Sequence, residues 1–161
     1  MSTFNKREFR DALGTFSTGI TVVTTTHNKA EPVGITVNSF TSVSLEPPLV
    51  LWCLDNDAES YNIYANCKNF AVHILHQDQE EISQIFATKY SSKFTHLEWH
   101  TGEFGSPILN DFFTCFQCET ETTYAGGDHL ILLGRVKSFE SHKDKPPLVY
   151  HGGSYQALKS I

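Results

Sequence analysis

Polar and hydrophobic residues alternate along much of this chain, with the period of two that is typical of β-strands. The segment NFAVHIL, 69–75, places Phe70, Val72 and Ile74 on one side of a strand. A run of β-branched residues followed by a turn predicts a hairpin over 18–38, and the nearly all-apolar run LVLWCL predicts a buried strand over 49–54. Strand signals return over 112–123 and 129–140. Residues 147–158 are expected to form one closing strand that bends at two adjacent glycines.

Helical spacing is confined to short segments. Phe9, Leu13 and Phe16 recur at intervals of three and four, which predicts an amphipathic helix near the start of the chain. Further short helices are predicted over 57–65 and 78–87, and a long loop over 88–108.

The order of these segments predicts the fold class. Six or seven closely spaced strands with two or three small helices favour a mainly β protein, a closed or partly closed barrel, over a parallel α/β sheet. Pro47 and Pro48 are expected to interrupt sheet pairing, because proline lacks the backbone N–H.

One strand-like stretch, GITVNSFTSVSLEPPLV at 34–50, departs from the alternation in its middle. Asn38, Ser39, Thr41 and Ser42 are polar, although the apolar positions on either side share one strand face. Two interpretations remain open. The segment is either a bulged strand whose hydroxyls bond their own backbone, or a strand edge that holds a flat, polar, uncharged ligand such as an isoalloxazine ring.

Length and composition exclude several classes of protein. The 161 residues suit one domain, 1–161, and the 40% hydrophobic content is that of an ordinary globular protein. No apolar run approaches the roughly 20 residues of a membrane helix. The start of the chain lacks the apolar core of a signal peptide, so we expect a cytoplasmic protein without a membrane partner.

The net charge and the cysteines bear on three further features: a nucleic-acid partner, disulfide bonds and a metal site. The net charge of -6 and the scattered basic residues argue against a nucleic-acid partner. Four irregularly spaced cysteines do not form a disulfide framework, so reduced thiols are predicted. Cys115 and Cys118 would point to opposite faces of a strand, which indicates core residues rather than a metal site.

Several catalytic motifs are missing. The sequence has no G-x-G-x-x-G after a first strand, no Walker loop and no G-x-S-x-G. His96 and His100 lie in a segment without helical pattern, so solvated or hydrogen-bonded histidines are expected there rather than metal ligands.

Five segments taken together resemble the flavin reductase family of small FMN-binding split-barrel proteins. They are FRDALGTFSTGITVVTT, GITVNSFTSVSLEPPLVLWCLD, NFAVHIL, AGGDHLILLGRV and PLVYHGGSY, in the family's order, from about Phe9 to Leu158. The resemblance implies a Greek-key split β-barrel with a few short helices.

The resemblance also implies an activity and partners. Members are NAD(P)H:flavin oxidoreductases, which reduce FMN or FAD with NADH or NADPH and supply reduced flavin to a separate monooxygenase. It implies a homodimer, for which Trp52, Trp99 and Phe112 are candidate interface residues. A nicotinamide that binds against the flavin needs no Rossmann domain, which agrees with the missing glycine motif.

Roles carried over from the family fall on three sets of positions. The flavin ring and ribityl chain would be lined by Thr36, Val37, Asn38, Ser39, Ser42, Val43, Ser44, Cys53, Leu54 and Asp55. The phosphate side would involve Ser60, Phe86, Lys93 and Phe94. The nicotinamide would be held by Gly127, Asp128, His129 and Tyr155, with His129 acting on the reaction by positioning.

Each of these roles has an alternative. Relatives often carry S-x-T where this chain has Ala58 and Ser60, which puts one phosphate contact and the flavin preference in doubt. Phe86 and Tyr155 could serve in packing, Lys93 could be a solvated loop lysine, and His129 could cap its strand. The whole protein could instead be a flavin-binding or flavin-sensing barrel without turnover, or a split barrel resembling pyridoxamine-phosphate oxidases or haem-handling proteins.

Overall fold

The computed structural model describes residues 4–28, 31–89, 92–142 and 144–159. These ranges contain the helices α1 (Lys6–Leu13), α2 (Tyr61–Ala65) and α3 (Glu80–Ala87), the last preceded by a 3-10 turn at Gln77–Gln79. The strands are β1 (Thr18–Gly19), β2 (Thr21–His27), β3 (Glu31–Val37), β4 (Thr41–Leu45), β5 (Pro48–Asp55), β6 (Asn69–Ile74), β7 (Trp99–Thr101), β8 (Pro107–Leu109), β9 (Thr114–Gly126), β10 (His129–Ser141), β11 (Val149–His151) and β12 (Ser154–Gln156). The predicted mainly β fold is confirmed.

Seven strands form one antiparallel sheet in the order β3-β2-β6-β9-β10-β5-β4. Its two edge strands, β3 and β4, are consecutive in the chain and are separated only by Asn38, Ser39 and Phe40. The chain therefore passes directly from one edge of the sheet to the other, which closes the sheet into a split barrel. Residues 31–45 act as one long bent strand that pairs first with β2 and then with β5.

Ser39 makes the closing contact between this bent strand and β5. Its hydroxyl accepts a hydrogen bond from the Cys53 N–H and donates one to the Cys53 carbonyl, both at 2.9 Å. Between the end of β3 and the start of β4, the Ser39 side chain thus takes the place of a backbone hydrogen-bond partner for Cys53.

The barrel interior is filled by large side chains. Trp52 meets the rings of Tyr64 and Phe70 edge-on, at centroid distances of 5.1 and 6.0 Å. A Cβ at position 134 would lie 2.3 Å from the Phe70 ring, so glycine is required on β10 where this ring crosses the barrel. The barrel is therefore a packed core and leaves a ligand to bind outside it.

A second apolar cluster lies on the outer face of β2. It joins α3 to the strand through Val22, Leu75 and Phe86, and it includes Leu148 beside the terminal strands. Strands β1, β11 and β12 form a separate small sheet there. This cluster fixes α3 against the barrel.

The two cysteines of the C-x-x-C pair lie in different clusters, as predicted for opposite strand faces. Cys118 belongs to the barrel core, whereas Cys115 packs with Ala71, Ile108 and Phe112 outside it. Burial raises the pKa of both thiols to about 12, which makes them inert core residues.

Three predictions about local structure need correction. Glu46 and Pro47 interrupt the sheet, as predicted, because they form the turn between β4 and β5, but Pro48 is the first residue of β5 and pairs with Leu45. The predicted loop over 88–108 contains β7 and the start of β8, which pair with each other. The closing strand is a hairpin, in which Gly152 and Gly153 adopt φ angles of 58° and 81°.

Two of the aromatic residues suggested for a dimer interface are core residues instead, since Trp52 is fully buried and Phe112 is 4% exposed. The third, Trp99, is half-buried and packs edge-on against Phe94 at 5.6 Å. Sequence periodicity did not separate these residues from the large apolar side chains that are exposed, which are Phe4, Phe9, Leu13, Phe16, Val43, Leu45, Tyr124, Phe139 and Leu158.

None of the helices in the described ranges has the length and apolar character needed to cross a bilayer.

A buried histidine couples the fold to pH. His73 has no exposed surface, its Nδ1 lies 3.1 Å from the Val22 carbonyl oxygen, and its Nε2 accepts the Leu109 N–H at 3.2 Å. This arrangement requires the neutral ring. Burial lowers its pKa from 6.5 to about 4. Because the unfolded chain takes up this proton at higher pH, stability is fully present above pH 6.5 and is lost as the pH falls towards 4.

We therefore expect this histidine to reduce the free energy of unfolding by about 2 kcal/mol between pH 7 and pH 5. Urea denaturation at the two pH values measures the change. His73→Gln should lose most of this pH dependence, whereas His96→Gln, at an exposed position, should keep it. An unchanged pH dependence in His73→Gln would contradict the assignment.

Ser39→Ala should lower the free energy of unfolding by about 1–2 kcal/mol, because the substitution removes both hydrogen bonds to Cys53 at a half-buried position. Ser42→Ala is the matched control, since Ser42 is exposed and its hydroxyl has no hydrogen-bond partner among the described residues. Equal denaturation midpoints for the two variants would show that the closing contact does not stabilise the barrel.

Candidate functional site

A groove of about 530 Å³ opens where the bent strand and β5 separate. Ser39 holds the two together at Cys53, and beyond this point β3 follows β2 while the chain after β5 turns into α2. The groove is lined by Glu31, Pro32, Val33, Gly34 and Ile35 of β3, by Asp55, Asp57, Ala58, Glu59, Ser60 and Ile63 around the start of α2, and by Phe86, Ala87, Thr88, Lys89, Lys93 and Phe94 at the end of α3 and beyond. It is thus an open seam in the barrel wall.

The floor of the groove is apolar. The rings of Phe86 and Phe94 meet edge-on at 5.0 Å, and both residues are buried. A Cβ at position 34 would lie 2.3 Å from the Phe86 ring, so β3 approaches this ring closely only because Gly34 has no side chain. Phe86 is therefore a core residue of α3, as its packing alternative predicted, and it supports the groove from below.

Lys93 links the floor to the edge of β3. Its Nζ donates to the Gly34 carbonyl at 3.2 Å and to the Phe86 carbonyl at 3.0 Å. Burial lowers its pKa and the charge of Glu59 raises it. These contacts overturn the alternative of a solvated loop lysine. The Gly34 carbonyl points into the seam, so β3 presents backbone polar groups to the groove. Pro32 suits the same edge of β3, because proline has no N–H that would need a partner there.

The opposite wall is the turn between β5 and α2. The Asp55 carboxylate accepts the Asp57 N–H at 2.8 Å, and the Ala58 N–H donates to the Asp55 carbonyl at 3.0 Å. Ala58 packs against the barrel core. Ser60 precedes α2 but makes no capping hydrogen bond with its side chain, so its hydroxyl can serve a ligand.

The glycine turn before β10 lies at the end of β5. His129 pairs with Asp55, and the Asn56 N–H donates to the Asp128 carbonyl at 3.0 Å. Gly127 has a φ of 76°, which favours glycine at this position. His129 is half-buried, and its Nδ1 lies 2.8 Å from an Asp128 carboxylate oxygen, a contact that lowers the pKa of Asp128. The other ring nitrogen has no hydrogen-bond partner among the described residues.

The structure brings together the predicted phosphate-side residues and the predicted nicotinamide turn. The four residues predicted for the phosphate side line the groove: Ser60, Phe86, Lys93 and Phe94. Asp55, which was predicted for the flavin ring, lines it too, and His129 lies beside Asp55. This grouping joins segments that are far apart in the sequence.

Six other positions predicted for the flavin ring do not line the groove. Leu54 is fully buried in the barrel core, and Val37 packs against the same core. Thr36 donates its hydroxyl to the Ser83 carbonyl at 2.7 Å, and Cys53 is held by Ser39 through its backbone. Asn38 is exposed at the crossing next to Ser39.

Three predicted positions lie beyond the crossing. Ser42, Val43 and Ser44 belong to β4, where the bent strand pairs with the first half of β5, and none of them lines the groove. The groove extends from the crossing towards Glu31 instead.

Tyr155 serves packing in this structure. Its hydroxyl lies 2.9 Å from the hydroxyl of Ser83, a fully buried residue of α3. Thr36 bonds the same residue through its carbonyl. Tyr155 therefore ties the terminal sheet to α3 and, through Ser83, to β3.

The sequence analysis did not predict that residues 31–35 of β3, or Asp57 and Glu59 before α2, would line the groove. Pro32 and Gly34 within a strand do signal an exposed edge or a close approach. No comparable signal marks Asp57 and Glu59, because charged residues in a polar turn are ordinary.

Comparison with known proteins places this geometry in a family. Residues 13–159 match the model of the flavin reductase like domain. A Rhizobium meliloti protein named "Probable flavin reductase" is 41% identical over 138 residues, which are 86% of this chain and 44% of that protein. The reductase component of a flavin-dependent trigonelline monooxygenase from Acinetobacter baylyi is 40% identical over 161 residues, 99% of this chain and 52% of that protein. The chain spans about half the length of these two curated relatives.

A solved structure agrees with the sequence matches. The NADH:FAD oxidoreductase of Streptomyces globisporus C-1027, in complex with NAD and FAD fragments, superposes with a TM-score of 0.91 at 35% identity, covering 96% of this chain and 93% of that one. The chain therefore belongs to the flavin reductase like domain family.

Proposed function

We propose that this protein is an NAD(P)H-dependent flavin reductase, which transfers a hydride from a nicotinamide to FMN or FAD. One observation carries the proposal: a groove with an apolar floor, bordered by the outer edge of β3 and by Lys93, lies next to the glycine turn of His129. Relatives named as a flavin reductase and as a monooxygenase reductase component support it.

The residues of the groove fit a flavin. The buried floor formed by Phe86 and Phe94 suits the apolar faces of an isoalloxazine ring, and the edge of β3 offers backbone groups to the polar edge of the ring. Ser60 and Lys93 would hold the phosphate, and the crossing at Asn38 and Ser39 would bound the ring. A bound flavin supplies the hydride acceptor.

His129 would position the nicotinamide. Its ring is oriented by Asp128, and the turn at Gly127 leaves the backbone accessible. Hydride transfer needs the two reacting rings held in close and aligned contact, so the protein contributes mainly orientation. Tyr155 is connected to β3 through Ser83, whose carbonyl accepts the Thr36 hydroxyl. A binding or sensing protein without turnover has no use for such a nicotinamide contact, which favours the reductase.

His129→Ala should impair the use of NADH much more than the binding of flavin. We expect kcat/KM for NADH to fall about 10-fold or more, because orientation is lost, while the flavin Kd changes less than about 2-fold. Steady-state oxidation of NADH and fluorescence titration of flavin measure the two quantities. His142→Ala, at an exposed position outside the groove, is the control. Unchanged NADH kinetics in His129→Ala would refute the assignment.

A separate flavin-dependent monooxygenase is the proposed acceptor of the reduced flavin. The Acinetobacter relative, a reductase component of such a system, supports this partner class. The four cysteines are all free thiols, which supports a reducing compartment such as the cytoplasm.

The proposed oligomer is a homodimer. Phe40, Phe116 and Phe139 form a continuous row of rings, with centroids 5.9 and 6.1 Å apart, that ends at Phe139 with 70% of its surface exposed. Leu45, on the edge strand β4, is 93% exposed. A second copy related by two-fold symmetry would bury both features without any new partner.

Phe139→Asp should therefore convert the dimer to a monomer, because it places a charge in the apolar interface. Sedimentation velocity at micromolar concentration measures the state of the wild type and the variant. Leu158→Asp, another exposed apolar position, should remain dimeric. A wild-type monomer, or a dimeric Phe139→Asp, would exclude this interface.

A further inference from the structure

The two walls of the groove carry opposite charges. Lys89 and Lys93 lie at the end of α3 and beyond it, whereas Asp57 and Glu59 lie in the turn before α2. Glu31 and Asp55 add two further carboxylates to the lining. Among the described lining residues, carboxylates therefore outnumber ammonium groups.

Glu59 is the carboxylate that faces Lys93 electrostatically. Both residues line the groove. Burial lowers the pKa of Lys93, and the charge of Glu59 offsets part of this effect. Glu31 already pairs with His27 at 3.5 Å, and Asp55 is engaged by the Asp57 N–H within the turn. Glu59 has no hydrogen bond or ion pair among the described residues, so its charge acts across the groove.

Lys93 is a weak anchor for a phosphate. Its ammonium group already donates to two carbonyls, one of them the Phe86 carbonyl at the C-terminal end of α3. The negative end of that helix and the Glu59 charge offset part of its positive charge. The electrostatic attraction of a phosphate to Lys93 is therefore weakened by the negative charge around this lysine.

We propose that Glu59 is a specificity-determining residue that opposes the phosphate of the flavin nucleotide, so that the flavin exchanges as a substrate instead of remaining bound. The inference rests on the proposed flavin reductase function. A flavin phosphate carries about -1.5 to -2 charges at neutral pH, and a carboxylate across a solvent-exposed groove repels it at low ionic strength.

Glu59→Gln tests this role with a matched pair of ligands. FMN and riboflavin differ only by the phosphate, so a charge effect must appear with FMN alone. At low ionic strength we expect the variant to bind FMN about 3- to 5-fold more tightly, with the same Kd for riboflavin as the wild type. The gain with FMN should shrink in about 0.5 M salt, where the screening length is short. Quenching of flavin fluorescence measures both constants, and stopped-flow displacement should show slower FMN release.

Two further variants serve as controls. Glu103→Gln makes the same change in net charge at an exposed position outside the groove and should leave both constants unchanged. Glu59→Asp keeps the charge and should bind FMN about as the wild type does. An unchanged FMN affinity in Glu59→Gln, or an equal gain with riboflavin, would overturn the inference.

Lys93→Gln separates this inference from the proposed function. If Lys93→Gln weakens FMN binding while Glu59→Gln does not strengthen it, the groove holds the flavin and only the role of Glu59 is wrong. If neither variant changes FMN binding in an enzyme that reduces flavin, the flavin binds elsewhere and both proposals about the groove are wrong.

Discussion

The double hydrogen bond between the Ser39 hydroxyl and the backbone of Cys53 fixes the shape of this molecule. Residues 31–45 pair with β2 in their first half and with β5 in their second half. Between the two halves, the backbone groups of the chain change partners. The polar residues at the crossing allow this change of partner, because a side-chain hydroxyl can satisfy an N–H and a carbonyl where no backbone partner is available. The unusual polar middle of the stretch 34–50 is thus the point at which the barrel closes.

The same crossing creates the groove. Where the bent strand leaves β5, one edge of β3 loses its neighbour and its polar groups face an opening beside the packed barrel. Alpha-helix α3 covers the base of that opening through Phe86, which rests on Gly34. The turn of His129 reaches the same place because β10 pairs with β5 up to Asp55. The closure of the barrel and the surfaces proposed for flavin and nicotinamide therefore depend on one local arrangement.

Sequence patterns predicted the fold class and the main strands, but they failed for local features that are determined by tertiary contacts. β-branched runs, apolar runs and alternation identified the main strands, because each of these strands has at least one buried face. These patterns could not show that Pro48 begins a paired strand, or that 99–101 and 107–109 pair with each other, because these features depend on contacts with other parts of the chain. The resemblance directed attention to Asp55, Ser60, Lys93 and His129, which the structure groups. It also pointed to nine positions that do not line the groove, namely Thr36, Val37, Asn38, Ser39, Ser42, Val43, Ser44, Cys53 and Leu54. No pattern indicated Glu59.

A crystal structure with FMN and a non-reactive NADH analogue tests the central claim most directly. The account predicts the isoalloxazine ring in the seam between β3 and the β5–α2 turn, above Phe86 and next to Asn38, with the nicotinamide stacked on it beside His129. A flavin ring found outside this seam, or a nicotinamide remote from His129, would contradict the account.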